Sequence, residues 1–254
     1  MRHRDRGGDA LFAVLVGQAA GSRKAHGPCD DAVATADVRA GRRRVWLCAV
    51  ADGAGSATRG GEGARLAVAA AVHAMRGRIA DGFDGGVLLQ TVRAELGAAA
   101  TQKTGGIREL ATTVTLVAAD AQATWVASVG DGAVVYRTAA DQAWQVAAWP
   151  MRGEYANSTQ FVTDDELVFT QAKFPAAQAI AVMTDGLTPL ALDFALRRPF
   201  APFFDGVALE MGRRNVAELA PHLQDLLRSP RVTERTDDDV TLVFALRAAR
   251  AVSR

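Results

Sequence analysis

Three acidic positions in this 254-residue chain stand where an apolar run ends or begins. Val45-Trp46-Leu47-Cys48-Ala49-Val50-Ala51 leads into Asp52-Gly53-Ala54-Gly55, and Ile180-Ala181-Val182-Met183-Thr184 leads into Asp185-Gly186. Asp237-Asp238-Asp239 immediately precedes Val240-Thr241-Leu242-Val243-Phe244. A single Asp-Gly pair is an ordinary turn dipeptide. Carboxylates delivered by three separate strand ends, far apart in the chain, converge only where something offsets their repulsion. Hard divalent cations do this, because Mg²⁺ and Mn²⁺ prefer carboxylate, carbonyl and water oxygen. Glycine after Asp52 removes a side chain, so that a backbone carbonyl can approach an ion closely. The donor set is that of a carboxylate-rich metal centre with few His or Cys ligands. Such centres serve phosphoryl chemistry, in which two ions roughly 3.5–4 Å apart activate water and neutralise developing charge. A haloacid-dehalogenase type of site, with a phosphorylated aspartate, would show Asp-x-Asp at the first strand end, whereas Asp52 is followed by Gly53 and Ala54.

Elements that could position these residues are visible as short apolar runs rich in β-branched side chains. Leu11–Val16, Ala32–Val38, Val45–Val50, Thr112–Ala118, Thr124–Val129, Val134–Arg137, Leu167–Thr170, Ile180–Met183 and Val240–Leu246 read as strands. Two helical faces lie between the third and fourth runs, one on Ala64, Val68, Ala71, Val72, Met75 and Ile79, the other on Leu88, Val92, Leu96 and Ala99. A third falls late, on Val216, Leu219, Leu223, Leu226 and Leu227. The order is strands, two helices, more strands, one helix and a last strand. Regular βαβ alternation is missing, which argues for an α+β domain of mainly antiparallel sheets with helices packed outside.

Composition sets the outer bounds. With 49% hydrophobic and 22% charged residues, the chain suits one domain spanning 1–254 with a large core. Lys plus Arg (29) nearly balances Asp plus Glu (28), so no overall field favours nucleic acid or a membrane surface. Cys29 and Cys48 are too few for a disulfide framework and fit a reducing cytoplasm. The apolar run after the basic start is far shorter than a spanning helix. The Arg39-Ala40-Gly41-Arg42-Arg43-Arg44 cluster reads as a solvated hairpin tip.

In this order the residues resemble the PP2C family of metal-dependent Ser/Thr protein phosphatases (PPM), and the resemblance covers nearly the whole chain. His26-Gly27-Pro28-Cys29-Asp30-Asp31-Ala32 is similar to the opening motif, and Ala49-Val50-Ala51-Asp52-Gly53-Ala54-Gly55-Ser56 to the second. Ala111-Thr112-Thr113-Val114 resembles the Gly-x-Thr strand, and Ser128-Val129-Gly130-Asp131-Gly132 the Val-Gly-Asp-Ser turn. Met183-Thr184-Asp185-Gly186-Leu187 and Asp238-Asp239-Val240-Thr241-Leu242-Val243 resemble the last two motifs. Gly153-Glu154-Tyr155-Ala156-Asn157-Ser158-Thr159 looks like a segment of a bacterial subgroup encoded beside a von Willebrand-type domain protein and a Ser/Thr kinase, which become the expected partners with a phosphorylated protein substrate.

The resemblance implies two antiparallel sheets flanked by helices, and two Mn²⁺ or Mg²⁺ ions that activate a water for attack on phosphoserine or phosphothreonine. It implies Asp52 bridging the ions, the Gly53 carbonyl on one, Asp185 and Asp238 on the other, and Asp30 and Asp31 orienting bound waters. Asp52, Asp185 and Asp31 are thus the expected catalytic residues, and Asp131 with Asp185 the expected holders of a third ion. A flap-like segment at about 149–166 is expected to shape substrate choice. Three departures stand out: Ala54 replaces the motif His proposed as general acid, Asp30 replaces Glu or Gln, and His26 stands where many members carry a phosphate-binding Arg. Either His26 or nearby Arg23 and Lys24 takes that role. The first two departures motivate one rival, a pseudophosphatase that binds a partner kinase; a second, a small-phosphoester hydrolase on the same fold, follows because fold does not fix substrate. Elsewhere, Asp131 is also readable as a plain turn residue, His73 and His222 as surface or packing residues, Asp164-Asp165-Glu166 as a solvated loop, and Trp125, Trp144 and Trp149 as core or flap base.

Overall fold

The computed structural model describes residues 10–22, 27–79, 82–102, 105–151 and 159–248. The apolar runs pair into two five-stranded sheets in which every pairing is antiparallel. The first runs in the order β1 (Phe12–Ala19), β12 (Val240–Arg247), β9 (Ala179–Met183), β6 (Ala133–Arg137), β7 (Gln145–Ala148). The second runs β2 (Ala32–Ala40), β3 (Arg43–Ala51), β4 (Val114–Ala119), β5 (Ala123–Val129), β8 (Thr170–Pro175).

The sheets lie face to face. Trp46, Cys48 and Val50 of β3, Val117 of β4 and Val126 of β5 meet Ile180 and Val182 of β9 and Val243 and Ala245 of β12 in a shared core. The alternate residues point outward onto helices. Val45, Leu47, Ala49 and Ala51 pack under α1 (Gly60–Arg78) and α2 (Gly85–Thr101), while Met183, Leu242 and Phe244 pack with Phe204 of α4 (Ala201–Arg213) and Leu219 and Leu223 of α5 (Val216–Leu227). Burial on both faces explains why the central strands read as continuous apolar runs rather than alternating ones. The α+β class and the two flanked antiparallel sheets expected from the sequence are what the structure shows.

Antiparallel order also decides where the acidic residues go. Met183 at the end of β9 pairs with Ala133 at the start of β6 and with Leu242 near the start of β12, so Asp185, Asp131 and the 237–239 run share one edge of the first sheet. Ala51 at the end of β3 pairs with Ala32 at the start of β2, which puts Asp52 beside Asp31 at one edge of the second.

Several expected elements differ. Leu167–Thr170 is not a strand; pairing with β5 starts at Thr170 and runs to Pro175, and Leu167 and Phe169 lean on the helix-side core. Gln171 and Lys173 on this edge strand break the apolar run that marks the central ones. Thr112 and Thr113 precede β4, with Thr112 in an isolated bridge to Gly53. Short β7 carries little apolar signal. In place of one late helix there are α3 (Thr188–Ala191), α4, α5 and α6 (Pro230–Thr233), besides the two-residue strands β10 (Leu192–Asp193) and β11 (Arg198–Pro199). The apolar spacing of Phe204, Ala208 and Met211 was available for α4, but Pro202 in its first turn, a favoured helix start, reads as a breaker. The Arg39–Arg44 cluster is the β2–β3 hairpin tip, where Gly41 takes the left-handed backbone (φ 61°) that the tight turn needs. No helix among the described residues is long and apolar enough to cross a membrane.

Phe244 is fully buried between its sheet and the α4–α5 layer. Phe244→Ala is expected to lower unfolding stability by about 3–5 kcal/mol, and Leu209→Ala, at a residue 52% exposed, by no more than about 0.5 kcal/mol, both read from urea midpoints.

Candidate metal centre

At the common edge of the two sheets, Asp52, Asp131 and Asp185 each present a carboxylate oxygen, and the three oxygens lie within 4.8 Å of one another. Asp52 also reaches Asp31, the carboxyl at the start of β2. Asp31 is 6% exposed, and its Oδ2 accepts from the Thr184 hydroxyl (2.9 Å) and the Thr241 hydroxyl (2.6 Å). Its Oδ1 and the Oδ1 of Asp185 are buried without a hydrogen-bond partner. Unsatisfied buried oxygens carry a desolvation cost, and two of them turned into one acidic cluster mark a place for a cation.

The cluster is held by backbone and hydroxyl contacts from several elements. The Asp52 amide donates to Thr113 Oγ1 (3.0 Å), and the Asp52 carbonyl accepts from the Thr113 amide (2.9 Å) and the Thr112 hydroxyl (2.7 Å), so the end of β3 cannot swing. The first turn of α1 passes directly over it: a Cβ on Gly53 would sit 2.4 Å from the Gly60 backbone. Across the edge, a Cβ on Gly186 would lie 2.1 Å from the Asp239 carbonyl oxygen. Glycine in each Asp-Gly pair therefore serves close backbone approach and not a turn alone. Asp131 accepts from the Thr159 hydroxyl (2.7 Å), which ties the middle of the 149–166 segment to the cluster.

Burial dominates the electrostatics. It pushes Asp31 up to about 6, against which the Thr241 and Thr184 hydroxyls pull down, and it pushes Asp185 up to about 7 with help from the charges of Asp131 and Asp238. Asp52 is raised well above the usual carboxylate range by burial and then by Asp31, Asp185, Asp238 and Asp131. Asp131 is raised too, chiefly by burial. Hard cation donors whose ionised forms are disfavoured in the bare protein are suited to a divalent ion, whose charge reverses the penalty.

The other expected site residues divide. Asp238, half-buried, is close enough for its charge to act on Asp52, Asp131 and Asp185, and its Oδ1 accepts from the Asp239 amide (2.9 Å). Asp30 places its carboxylate against the start of α1, where a Cβ on Gly61 would be 2.1 Å from Asp30 Oδ1. Ala54 is 8% exposed, and its amide donates to the Ala111 carbonyl (3.0 Å). Arg23, Lys24 and His26 lie outside the described residues, as does most of the Gly153–Thr159 segment. Asp131 is part of the cluster, not a plain turn residue. Asp165 pairs with Arg108 at 2.8 Å on the surface, while Val162 is fully buried, so the end of the expected flap is anchored to the body. His73 and His222 are exposed, and Trp144 is buried with Nε1 donating to Asp205 (2.9 Å).

Sequence reading passed over the residues that hold the acidic ones. Thr184 and Thr241 share Asp31, while Asp239 accepts the Gly21 amide on Oδ1 (2.8 Å) and the Asp30 amide on Oδ2 (2.6 Å). The available signal was a polar residue within an otherwise apolar strand end, as at Thr184 and Thr241.

The chain is similar to known proteins. The protein phosphatase 2C family model matches residues 20–228. Serine/threonine-protein phosphatase 3 of Escherichia coli (strain K12) is 38% identical over 211 residues, covering 78% of this chain and 82% of its own. A bacterial serine phosphatase crystal structure superposes with a TM-score of 0.65 at 13% identity, over 95% of this chain and 100% of that one. The catalytic domain of the serine threonine protein phosphatase PstP, solved with two manganese ions, superposes at 0.62 and 21% identity, over 94% and 99%.

The raised carboxyls have a consequence for stability. Asp31 and Asp185 hold protons in the folded, metal-free protein that the unfolded chain, with values near 3.8, has released, so between about pH 4 and 7 stability falls as pH rises. Chelator-treated protein is expected to melt several degrees higher at about pH 5.5 than at about pH 7.5, and Mn²⁺ to raise the melting temperature more at the higher pH. A metal-free melting temperature that climbs over that interval would show the carboxyls to be ionised normally.

Proposed function

The chain belongs to the protein phosphatase 2C family, and from that premise we propose that it hydrolyses phosphoserine and phosphothreonine in proteins with two Mn²⁺ or Mg²⁺ ions held by the Asp52 cluster. The observation that carries this reading is the meeting of Asp52, Asp131 and Asp185 beside Asp31, with two buried carboxylate oxygens left unsatisfied. Asp52, the Gly53 carbonyl, Asp185 and Asp238 would hold the pair, and Asp131 with Asp185 a third ion. When bound, the ions supply an activated water and neutralise the charge that builds on the phosphoryl oxygens.

The chain's own groups then have separate tasks. Asp31, locked by Thr184 and Thr241 and in contact with Asp52, is placed to accept a proton from a water at that carboxylate. Asp30 and Asp31 orient waters on the β2 side, while Arg23 or His26 supplies the cation facing the phosphoryl group. Ala54 offers no proton, so the departing serine or threonine oxygen takes one from water or another residue. The segment at about 149–166 borders this edge through Asp131 and Thr159 and belongs with the same single domain. The unpaired thiols of Cys29 and Cys48 fit a cytoplasmic setting. A Ser/Thr kinase and a von Willebrand-type domain protein are the partners this reading favours, on the resemblance of the Gly153–Thr159 segment. The intact carboxylate set argues for turnover over a partner-binding module.

Hydrolysis of an aryl phosphate and of a phosphothreonine peptide is expected to require Mn²⁺ or Mg²⁺, to stop with chelator, and to fall by at least about 10²-fold in Asp52→Ala and Asp185→Ala. Tight metal binding without turnover would favour the pseudophosphatase. Unchanged activity in Asp185→Ala would sink the site assignment.

A further inference from the structure

We propose that the hairpin of β10 and β11, residues 192–199, forms one wall of the substrate cleft, and that Arg197 on it selects phosphoprotein segments carrying an acidic residue beside the phosphoresidue. This deepens the phosphatase reading and rests on it. Trp149 joins the hairpin to the metal edge. It follows Ala148, which pairs with Val134, and precedes Met151, whose amide donates to the Gly130 carbonyl (3.2 Å), so it stands beside the strand end that carries Asp131. The Phe194 ring meets the Trp149 ring edge-on at 5.4 Å, and the Arg197 guanidinium lies over it at 5.4 Å. From the other side, the hairpin leaves directly from the short helix that follows Asp185-Gly186-Leu187, and the Phe200 amide donates back to the Ala191 carbonyl (2.8 Å). The hairpin thus bridges the elements that present Asp131 and Asp185.

Its surface is apolar and cationic. Leu196 is 60% exposed, Phe200 50% and Phe194 37%. Arg198 is paired with Asp193 at 3.6 Å, whereas Arg197 makes no ion pair among the described residues. Arg197 is also the sole non-glycine residue of positive φ (47°) among them, a backbone state that glycine or asparagine adopts at less strain. A strained arginine that forms no ion pair among the described residues, lying over the Trp149 ring beside the strand that follows Asp131, points to an anionic group on the substrate.

The same backbone state makes the test clean, since Arg197→Gly removes the charge at a position glycine suits. Wild-type protein is expected to turn over a phosphothreonine peptide with acidic flanking residues with kcat/KM about three- to fivefold above its basic-flanked counterpart at low salt. Arg197→Gly should abolish that preference and Arg197→Glu invert it. Aryl phosphate hydrolysis should stay within about twofold, and the melting temperature within about 2 °C of wild type. Anisotropy of the same labelled peptides reads the preference without turnover, so a failure of the phosphatase reading, seen as no metal-dependent hydrolysis of aryl phosphate by wild type, is separable from a failure of this one. Equal treatment of both peptides by wild type and variants, in rate and in binding, overturns the proposal. So does a parallel loss on aryl phosphate, which would assign Arg197 to holding the metal edge together.

Discussion

Repulsion among carboxylates gathered at one edge is the constraint around which the rest of this molecule is arranged. Asp31, Asp52, Asp131 and Asp185 are all raised above the ordinary carboxylate value first by burial; Asp52 and Asp185 are raised further by other cluster carboxylates and Asp238, Asp131 by Asp238, and Asp31 by Asp239. No arginine or lysine among the described residues forms an ion pair with them; the nearby hydroxyls of Thr184, Thr241 and Thr159 relieve them only in part. An arrangement of this kind persists in the bare protein only because each carboxylate is fixed by a backbone that has no other place to go.

That fixity comes from the sandwich. Apart from β2, an edge strand, every strand end bearing an acidic residue belongs to a central strand packed on both faces, by the opposing sheet within and by helices without. Antiparallel neighbours alternate ends and starts at the same edge, so one edge collects Asp52 from the end of β3, Asp185 from the end of β9, and Asp31, Asp131 and Asp238 from just before β2, β6 and β12. The glycines at 53, 60 and 186 then let segments approach to distances that a Cβ would forbid. Packing free energy of the two-sided strands offsets the electrostatic cost of the edge.

What was legible in the sequence follows from the same physics. β3, β9 and β12 announced themselves because two-sided burial leaves unbroken apolar runs, and their acidic ends stood out against those runs. β8 and β7 were misplaced or missed because edge strands carry Gln171, Lys173 and Gln145, and α4 was hidden behind Pro202. Of the site, the acidic residues could be read from type and position, whereas Thr184, Thr241, Thr112 and Thr113 stood in the motifs without a role that sequence could assign. A buried threonine in a strand is common, and only the fold reveals that two of them, 57 residues apart, share one carboxylate oxygen.

Asp239 shows how local identity and global arrangement interact. An asparagine here would offer a single acceptor oxygen. In this chain both carboxylate oxygens are used, one for the Gly21 amide and one for the Asp30 amide. The aspartate therefore clamps both ends of the segment that leads into Asp30 and Asp31, at the cost of one more charge, which acts on Asp31. Ala54 and Asp30, two of the departures from the family pattern, lie on this same side of the edge, while the Asp52, Asp131 and Asp185 side keeps the expected residues. Asp30, Ala54 and Asp239 thus fall on one flank of the centre, and Asp52, Asp131 and Asp185 gather on the other. Two sheets make that separation possible: Asp30, Asp31 and Ala54 adjoin β2 and β3 of one, whereas Asp131, Asp185 and Asp238 belong to strand ends of the other, with Asp52 reaching between them.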